Sequence, residues 1–571
     1  MGVLDWIVLI STLFIIIIYG VWKTKGRNTS EDFLIGKREN KWWTIGLSIM
    51  ATQASAITFI STPGQAYEDG MRFVQFYFGL PLAMVFLSIF FLPRFYHLKV
   101  YTAYEFLESR FDVRMRTLTA IIFMLQRGLA AGITIYAPTI ILSHLLGWDL
   151  NTTSIIIGCL VIFYTMLGGA DAVSVTQQQQ MIVMLAGMFL AGAIIILKLP
   201  NDITFKNSID LAGYIGKLNM VDTKFDLSQK YNIWSAFLGG TFLFMSYFGT
   251  DQSQVQRYIS GKTLRESRLG LLFNAIFKVP MQFMILSIGI LVYIFYLFNP
   301  IPVHFNEVNV NAIKQDSAYS NKFYTIENQF NRAHDEKRES VLKLNEAIKS
   351  DDEQQIRMLV SDVKKLEFQE NKYRTEVDQL IKQQNSQHET EDSDYVFITF
   401  ILSYMPKGLI GFMLAAIFCA AMSTTSSEIN ALSTASMMDV FKRHIIKNES
   451  DAYYLKMSKI FTFGWGVLII IISLVASLFD NLIEAVNIAG SLFYGSMLGI
   501  FLVAFFLKRI QGQAVFYAAI LAQSIVILLF YLNKIGTIHL SYLWYNLFGC
   551  AVVIIASSLF QGMNSKIIDR K

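Results

Sequence analysis

The stretch AAIFCAAMSTTSSEINALSTASMMD, residues 415–439, begins as an apolar helix. It then sets five hydroxyls side by side, Ser423, Thr424, Thr425, Ser426 and Ser427, with Glu428 directly behind them. Helical spacing places Ala420, Ser423, Thr424 and Ser427 on one face, at i, i+3, i+4 and i+7. Two hydroxyls and a free backbone carbonyl make half of an oxygen cage for a hard cation. A single membrane serine usually bonds back to the carbonyl one turn earlier; five in a row beside a carboxylate call for another partner. A second chemically loaded residue is Arg127, in FMLQRGLAAGITIYAPTIIL. An arginine inside an apolar helix is costly and its default role is functional. Its planar fork suits a carboxylate. The competing readings are an ion pair with Glu428 or another buried acid, or snorkelling to an aqueous face.

These residues sit in a chain of 571 residues that is 54% hydrophobic and 16% charged, with a mean hydropathy of +0.43. That composition belongs to polytopic membrane proteins. Thirteen apolar runs are long enough to cross a bilayer, at about 4–22, 42–62, 73–93, 117–142, 151–168, 178–199, 233–253, 270–298, 395–422, 458–479, 483–507, 513–532 and 541–560. The first has Asp5 before it and Lys23, Lys25 and Arg27 after it. These flanks are the reverse of a cleaved signal peptide, so the expectation is an uncleaved helix with its N-terminus outside. Basic residues then fall in the cytoplasmic loops: Arg94 to Arg116, Arg257 to Arg268, Lys442 to Lys447, Lys508 and Arg509, and the tail KIIDRK. The short loop read in GGADAVSVTQ is the exception. Cys159, Cys419 and Cys550 lie inside apolar runs, and the seven histidines show no ligand spacing, which speaks against a disulfide framework, a metal cluster or a membrane enzyme.

Residues 301–394 differ in kind. They hold 13 Lys and Arg against 19 Asp and Glu, and no Gly or Pro between Val303 and Asp394. Ile356, Leu359, Val363, Leu366, Glu370, Tyr373, Val377 and Leu380 step by three and four, a heptad seam with one acidic flaw. Val341, Leu344 and Ile348 begin a similar seam before KSDDEQQ. The pattern predicts an external helical hairpin of antiparallel coiled-coil type, with NSQHETEDSD irregular. A solvated charged linker is the plainer reading, and a protein partner docking on the hairpin is conceivable.

Two apolar runs are interrupted at mid-span, the second at ATQASA and the seventh at SYFGTDQ. Interrupted segments at corresponding places in two halves point to an inverted-repeat transporter, whose unwound carbonyls serve a cation or a solute. Small residues that let helices pack closely are the alternative. The break in the second run would supply the other half of the oxygen cage.

At these residues the chain resembles the sodium:solute symporter family, which includes sodium/glucose and sodium/sialic acid cotransporters. SAITFISTPGQAYEDG, TAYEFLESRF, YTMLGGADAV, GTDQSQVQRYISGK and INALSTASMMDVF carry the resemblance, which covers nearly all of the chain outside 301–394. It implies an all-α, leucine-transporter-like fold of five plus five inverted helices, with one extra helix before and two after. The expected organisation is therefore 1–40 (extra helix and loop), 41–300 (core helices 1–7), 301–394 (insert), 395–510 (core helices 8–10) and 511–571 (two C-terminal helices). The resemblance places a Na⁺ site on the carbonyls of Ala51 and Ala54 with Ala420, Ser423 and Thr424, the last being Ser in most members. It also places an aromatic gate at Tyr247. Where members with a second Na⁺ have Asp, this chain has Gln177, facing Ser426 and Ser427. A neutral amide lacks the charge, so one Na⁺ per solute is expected. Solute contacts fall on Gln53, Ser55, Thr58, Gln75 and Arg127. Galactose-type members carry an acidic or amide pair where this chain has Ile57 and Thr58, and sialic acid members place an Arg as Arg127 is placed.

The function expected is Na⁺-coupled import of a small organic solute by alternating access, the solute a sugar or an acidic sugar such as sialic acid. A neutral sugar, a polyol or another small carboxylate is the alternative solute. A transporter-like sensor or partner-binding protein is the alternative class. The partners implied are a small solute and a lipid bilayer, without nucleic acid, in an inner cell membrane with a cytoplasmic C-terminus.

Overall fold

A computed structural model describes residues 1–23, 29–385, 390–475 and 482–568. Helices account for most of it, and each of the thirteen apolar runs carries helix among its described residues. The first is α1 (Val3–Lys23). The second is two helices, α2 (Trp42–Gln53) and α3 (Ala56–Asp69), separated by Ala54 and Ser55. A 3₁₀ stretch, Gly70–Phe78, leads into α4 (Gly79–Phe90), and α5 spans Val113–Leu146.

The fifth and sixth runs form one continuous element, α6 (Leu150–Leu197), bent at Gly169. The loop expected in GGADAVSVTQ is thus a kink, with helix resuming at Ala170. Gly169 has φ 55° and ψ −167°, and a Cβ there would stand 2.9 Å from the Phe33 carbonyl oxygen. Only glycine accepts both conditions.

The seventh run is again broken, into α7 (Thr241–Thr250) and α8 (Gln252–Ile259), with extended backbone at Asp251. α9 (Leu264–Phe298) follows. The hairpin of the insert consists of α10 (Ser320–Lys349) and α11 (Glu353–Gln384). The ninth run is shorter than its hydropathy: α12 (Ser393–Tyr404) stops before Pro406, and the long helix α13 (Leu409–Ala435) starts only after Gly408 at φ 89°. α14 (Asp451–Ser473), α15 (Leu482–Phe506), α16 (Gly512–Lys534) and α17 (Leu543–Ile568) complete the chain.

The two broken helices each open a set of five: α2/α3, α4, α5 and the two limbs of α6, then α7/α8, α9, α13, α14 and α15. α13 packs along α6, α9 along α2 and α3, and α1 on α13 and α6. Among the described residues ten helices are apolar and long enough to cross a membrane, and this is a multi-pass membrane protein.

The two helices of the insert pack on each other, and their apolar face is continuous with the core of the membrane helices. Ile356, Leu359, Val363, Val377 and Leu380 of α11 are buried, as are Phe323, Phe330, Val341 and Leu344 of α10. The acidic flaw in the seam is satisfied across the hairpin. Glu370 is 4% exposed; one oxygen meets His334 Nδ1 at 2.9 Å and the other contacts the Lys337 ammonium. The reversal falls where KSDDEQQ ends α10, with Asp351 at φ 56°. Of the segment expected to be irregular, 386–389 lies outside the described residues, while Ser393 and Asp394 open α12 and are buried.

Burial raises the Glu370 carboxyl, but the His334 hydrogen bond and the Lys337 charge outweigh it and hold the group below the usual carboxylate range. A depressed carboxylate stabilises the fold above its unfolded pKa, and that contribution is lost as pH falls through the folded one. Glu370→Ala leaves Lys337 buried without its partner and is expected to cost the hairpin about 3–5 kcal/mol. Faster amide exchange confined to α10 and α11, and insensitive to acid relative to wild type, is the expected readout.

Candidate functional site

The break between α2 and α3 is where the site begins. In an uninterrupted helix the Ser55 N–H would bond to the Ala51 carbonyl; here it turns to Gln53 O at 3.1 Å, and Ala54 keeps its own bond to Met50 O at 2.8 Å. The Ala51 carbonyl is thereby freed of its helical donor. It accepts instead from α13: Ser423 Oγ lies 2.9 Å away and Thr424 Oγ1 3.4 Å. Ser423 Oγ is also 2.9 Å from the Ala420 carbonyl. Four of the five groups expected around a cation therefore converge, and Ala54 stands at the non-helical end of α2 beside them (φ −85°, ψ 80°). All donors are neutral oxygens, and among the described residues no cluster of His, Cys, Asp or Glu could hold a metal ion. Neutral hydroxyl and carbonyl oxygens suit a hard monovalent cation.

The neighbouring cluster around Gln177 is already filled. Gln177 Nε2 donates to Thr52 Oγ1 at 3.0 Å, to the Ser423 carbonyl at 3.0 Å and to Ser427 Oγ at 2.6 Å, while its Oε1 accepts from Ser48 Oγ at 2.5 Å. An amide N–H₂ group sits among three oxygens. Ser426 does not join them; its hydroxyl bonds back to Ser423 O at 3.3 Å.

Beside the Ala51 carbonyl lies a cavity of about 100 Å³. Gln53, Ser55, Thr58, Arg127 and Tyr247 line it as expected, together with Thr424 of the cation cluster. Gln75 does not. It is fully buried, donates to Tyr231 O at 3.2 Å and accepts from the Asp222 N–H at 3.0 Å, so it pins the 219–234 loop. The reason is the 3₁₀ stretch: at three residues per turn, Phe76 and Tyr77 reach the cavity and Gln75 points away.

Arg127 is engaged by protein groups. Nη1 donates to Glu428 Oε1 at 2.9 Å, Nη2 contacts Asp251 Oδ2 and reaches the Tyr494 hydroxyl at 2.5 Å, and the Tyr247 ring lies 5.3 Å from the guanidinium carbon. The Tyr494 hydroxyl donates in turn to Asp251 at 2.9 Å. Asp251 belongs to the second helix break, where its other oxygen caps α8 by accepting from Ser253 N at 2.9 Å. The reading of Arg127 as a free carboxylate clamp gives way to the ion pair with Glu428, extended by Asp251. Asp251, Tyr494 and Gln126 are site residues that the sequence reading missed. For Asp251 the signal was a carboxylate in mid-span at a helix break. Lys278 of α9 was missed too: it is fully buried, lacks a hydrogen-bond partner and lies behind Tyr77, its ammonium 5.9 Å from the ring centre.

Away from the insert, polar contacts tie the second break to its neighbours. Tyr104 OH donates to Thr250 O at 3.0 Å and Ala103 N to Gln252 Oε1 at 3.1 Å. Gln256 meets Asn430 at 2.7 Å, and Arg116 pairs with Asp439 at 2.6 Å. The Tyr247 hydroxyl accepts from Gln254 at 2.6 Å, and its ring lines the cavity.

With this geometry in hand, the comparisons with known proteins fall into place. The model of the sodium:solute symporter family matches residues 33–326 and 376–522. The human sodium/iodide cotransporter is 32% identical over 273 residues, 48% of this chain and 42% of that one, so the chain spans less than half the length of that relative. The sodium/sialic acid symporter SiaT of Proteus mirabilis (strain HI4320) is 25% identical over 572 residues, 98% of this chain and 95% of that one. A solved structure of a Na⁺-coupled sialic acid symporter in a substrate-bound, outward-open state superposes with a TM-score of 0.75 at 22% identity, covering 98% of both chains. That likeness shows the fold, the leucine-transporter-like one.

Removing Arg127 leaves two carboxylates facing each other in a buried site. Arg127→Met is expected to lower stability by about 3–5 kcal/mol, and Glu428→Gln in the same chain to recover about 1–3 kcal/mol of it. Thermal unfolding of the two single variants and the double variant in detergent gives the coupling.

Proposed function

The chain belongs to the sodium:solute symporter family, and we propose that it imports a small polar solute coupled to one Na⁺, by opening the cavity alternately to the two sides of the membrane. The observation that carries this reading is the Ala51 carbonyl, freed by the helix break and met by Ser423 at 2.9 Å and Thr424 at 3.4 Å. A cation there would bind two helices at once, α2 and α13, and one that moves relative to the other could hold it in only one arrangement. Ion binding then biases a two-state element, which is what coupling requires. Ala54 and Ala420 complete the cage.

One Na⁺ rather than two is supported by the Gln177 amide, whose N–H₂ group takes the place of a second cation among Thr52, Ser423 and Ser427. The solute would lie in the cavity against Gln53, Ser55 and Thr58, with Tyr247 as its gate. Curated relatives act on sialic acid and iodide by name. A free Arg127 would favour an acidic sugar. Its engagement by Asp251 and Glu428 supports the other reading, an uncharged sugar or polyol. The basic loops support an N-terminus outside, a cytoplasmic C-terminus and an inner cell membrane.

Uptake into proteoliposomes under an inward Na⁺ gradient, run over a panel of labelled sugars, polyols and carboxylates, tests the reading. Accumulation of one solute is expected only with the gradient, and Ser423→Ala should abolish both uptake and the stabilisation of purified protein by Na⁺. Na⁺-indifferent stability in wild type would remove the cation site. Gln177→Asp should open a second cation position and steepen the Na⁺ dependence of uptake, its Hill coefficient rising from about one towards two.

A further inference from the structure

The charges around the cavity do not balance. Among the residues that line it, Arg127 and Glu428 are the charged ones. Asp251, fully buried, adds a second carboxylate to the same guanidinium. Glu428 is 2% exposed and Arg127 4%, so water screens this trio little. Lys278 is sealed behind Tyr77 and does not line the cavity. With both carboxylates ionised, the trio carries one net negative charge. One Na⁺ at the adjacent Ala51–Ser423–Thr424 cluster, whose Thr424 is one helical turn from Glu428, brings the loaded site to zero.

We propose that Glu428 is the residue that sets the charge of the solute: it occupies the guanidinium of Arg127 where a solute carboxylate would otherwise bind, so that the site excludes monoanions and admits solutes of zero net charge. This rests on the one-Na⁺ symporter reading above and narrows its substrate class. A monoanion entering beside the Na⁺ would leave an unpaired negative charge in a buried site, and uncompensated buried charge is strongly unfavourable. An unused atom points the same way. Glu428 Oε2 is a buried acceptor without a partner, and it can take a hydrogen from a hydroxyl or ammonium group but not from a bare carboxylate, which only accepts.

Replacing Glu428 with Gln keeps the shape and removes one negative charge. The loaded site then reaches zero only with a monoanion in it. The test is ligand-induced thermal stabilisation of the full-length protein in saturating Na⁺, with N-acetylneuraminate, lactate and iodide as monoanions, and galactose, myo-inositol and proline as solutes of zero net charge. Wild type and Glu428→Asp should respond to none of the monoanions and to at least one uncharged or zwitterionic probe. Glu428→Gln should bind at least one carboxylate about tenfold or more tighter than wild type does. Stabilisation of wild type by any monoanion overturns the proposal whatever the variants do. A folded Glu428→Gln protein with no gain for anions overturns it as well. Stabilisation by Na⁺ alone, and its loss in Ser423→Ala, is read in the same experiment and reports separately on the symporter reading.

Discussion

The structure turns on one peptide carbonyl, that of Ala51. A transmembrane helix satisfies every backbone group internally because the bilayer offers no substitute. The chain gives up that arrangement at Ala54 and Ser55, and an orphaned carbonyl at membrane depth needs an oxygen-bound proton or a cation to face. Ser423 and Thr424 supply the former, and the same oxygens make a cage for the latter. Much of the surrounding architecture follows from holding α13 against the end of α2. Buried small residues make close contact possible, and the Gln177 amide ties Ser48 and Thr52 of α2 to Ser423 and Ser427 of α13.

The second break is stabilised differently. Asp251 caps α8 with one oxygen and receives Arg127 and Tyr494 with the other. Charge takes the role at Asp251 that hydroxyls take at Ala51. In a low dielectric an ion pair is strong only when its remaining hydrogen-bonding positions are filled. Tyr494, Glu428 and the Tyr247 ring fill most of those of Arg127. Arg127 Nε and Glu428 Oε2 remain, on two residues that line the cavity. The two halves of the molecule thus present different chemistries to one cavity, neutral oxygens from the first break and a charged cluster from the second.

Much of this was legible in the sequence because the signals were local. Small and polar residues interrupting an apolar run marked both breaks to within a few residues, and the heptad seam of α11 was readable down to its flaw at Glu370. The misreadings have physical causes that a linear pattern does not carry. The resemblance assigns Gln75 to the cavity, but the 3₁₀ turn rotates it into the wall. The ninth run was drawn from 395 because hydropathy is indifferent to the Pro406–Gly408 interruption, which divides it into α12 and α13. The partners of Arg127 lie 124 and 301 residues away. A buried charge announces that it needs a counter-charge without saying which one, and only the fold brings Asp251 to the guanidinium from one side and Glu428 from the other.

The insert shows how a helical hairpin can be joined to a membrane core. Gly64 of α3 lies so close to the Ser393 carbonyl that an added Cβ would stand 1.9 Å from the oxygen, so the chain leaving the insert rests directly on α3. Nearby, Lys217 donates to the Tyr67 and Glu68 carbonyls at 3.0 and 2.7 Å, serving the last turn of that helix. Tyr293 of α9 reaches Glu367 of α11 at 3.0 Å, and Tyr67 packs on Tyr293, Tyr296 and Phe305. These contacts combine aromatic burial with hydrogen bonds to helix-end carbonyls, and they are made at the C-terminal end of α3, whose N-terminal end forms the break at Ser55. The hairpin and the break thus engage opposite ends of one helix, although no described residue of the insert lines the cavity.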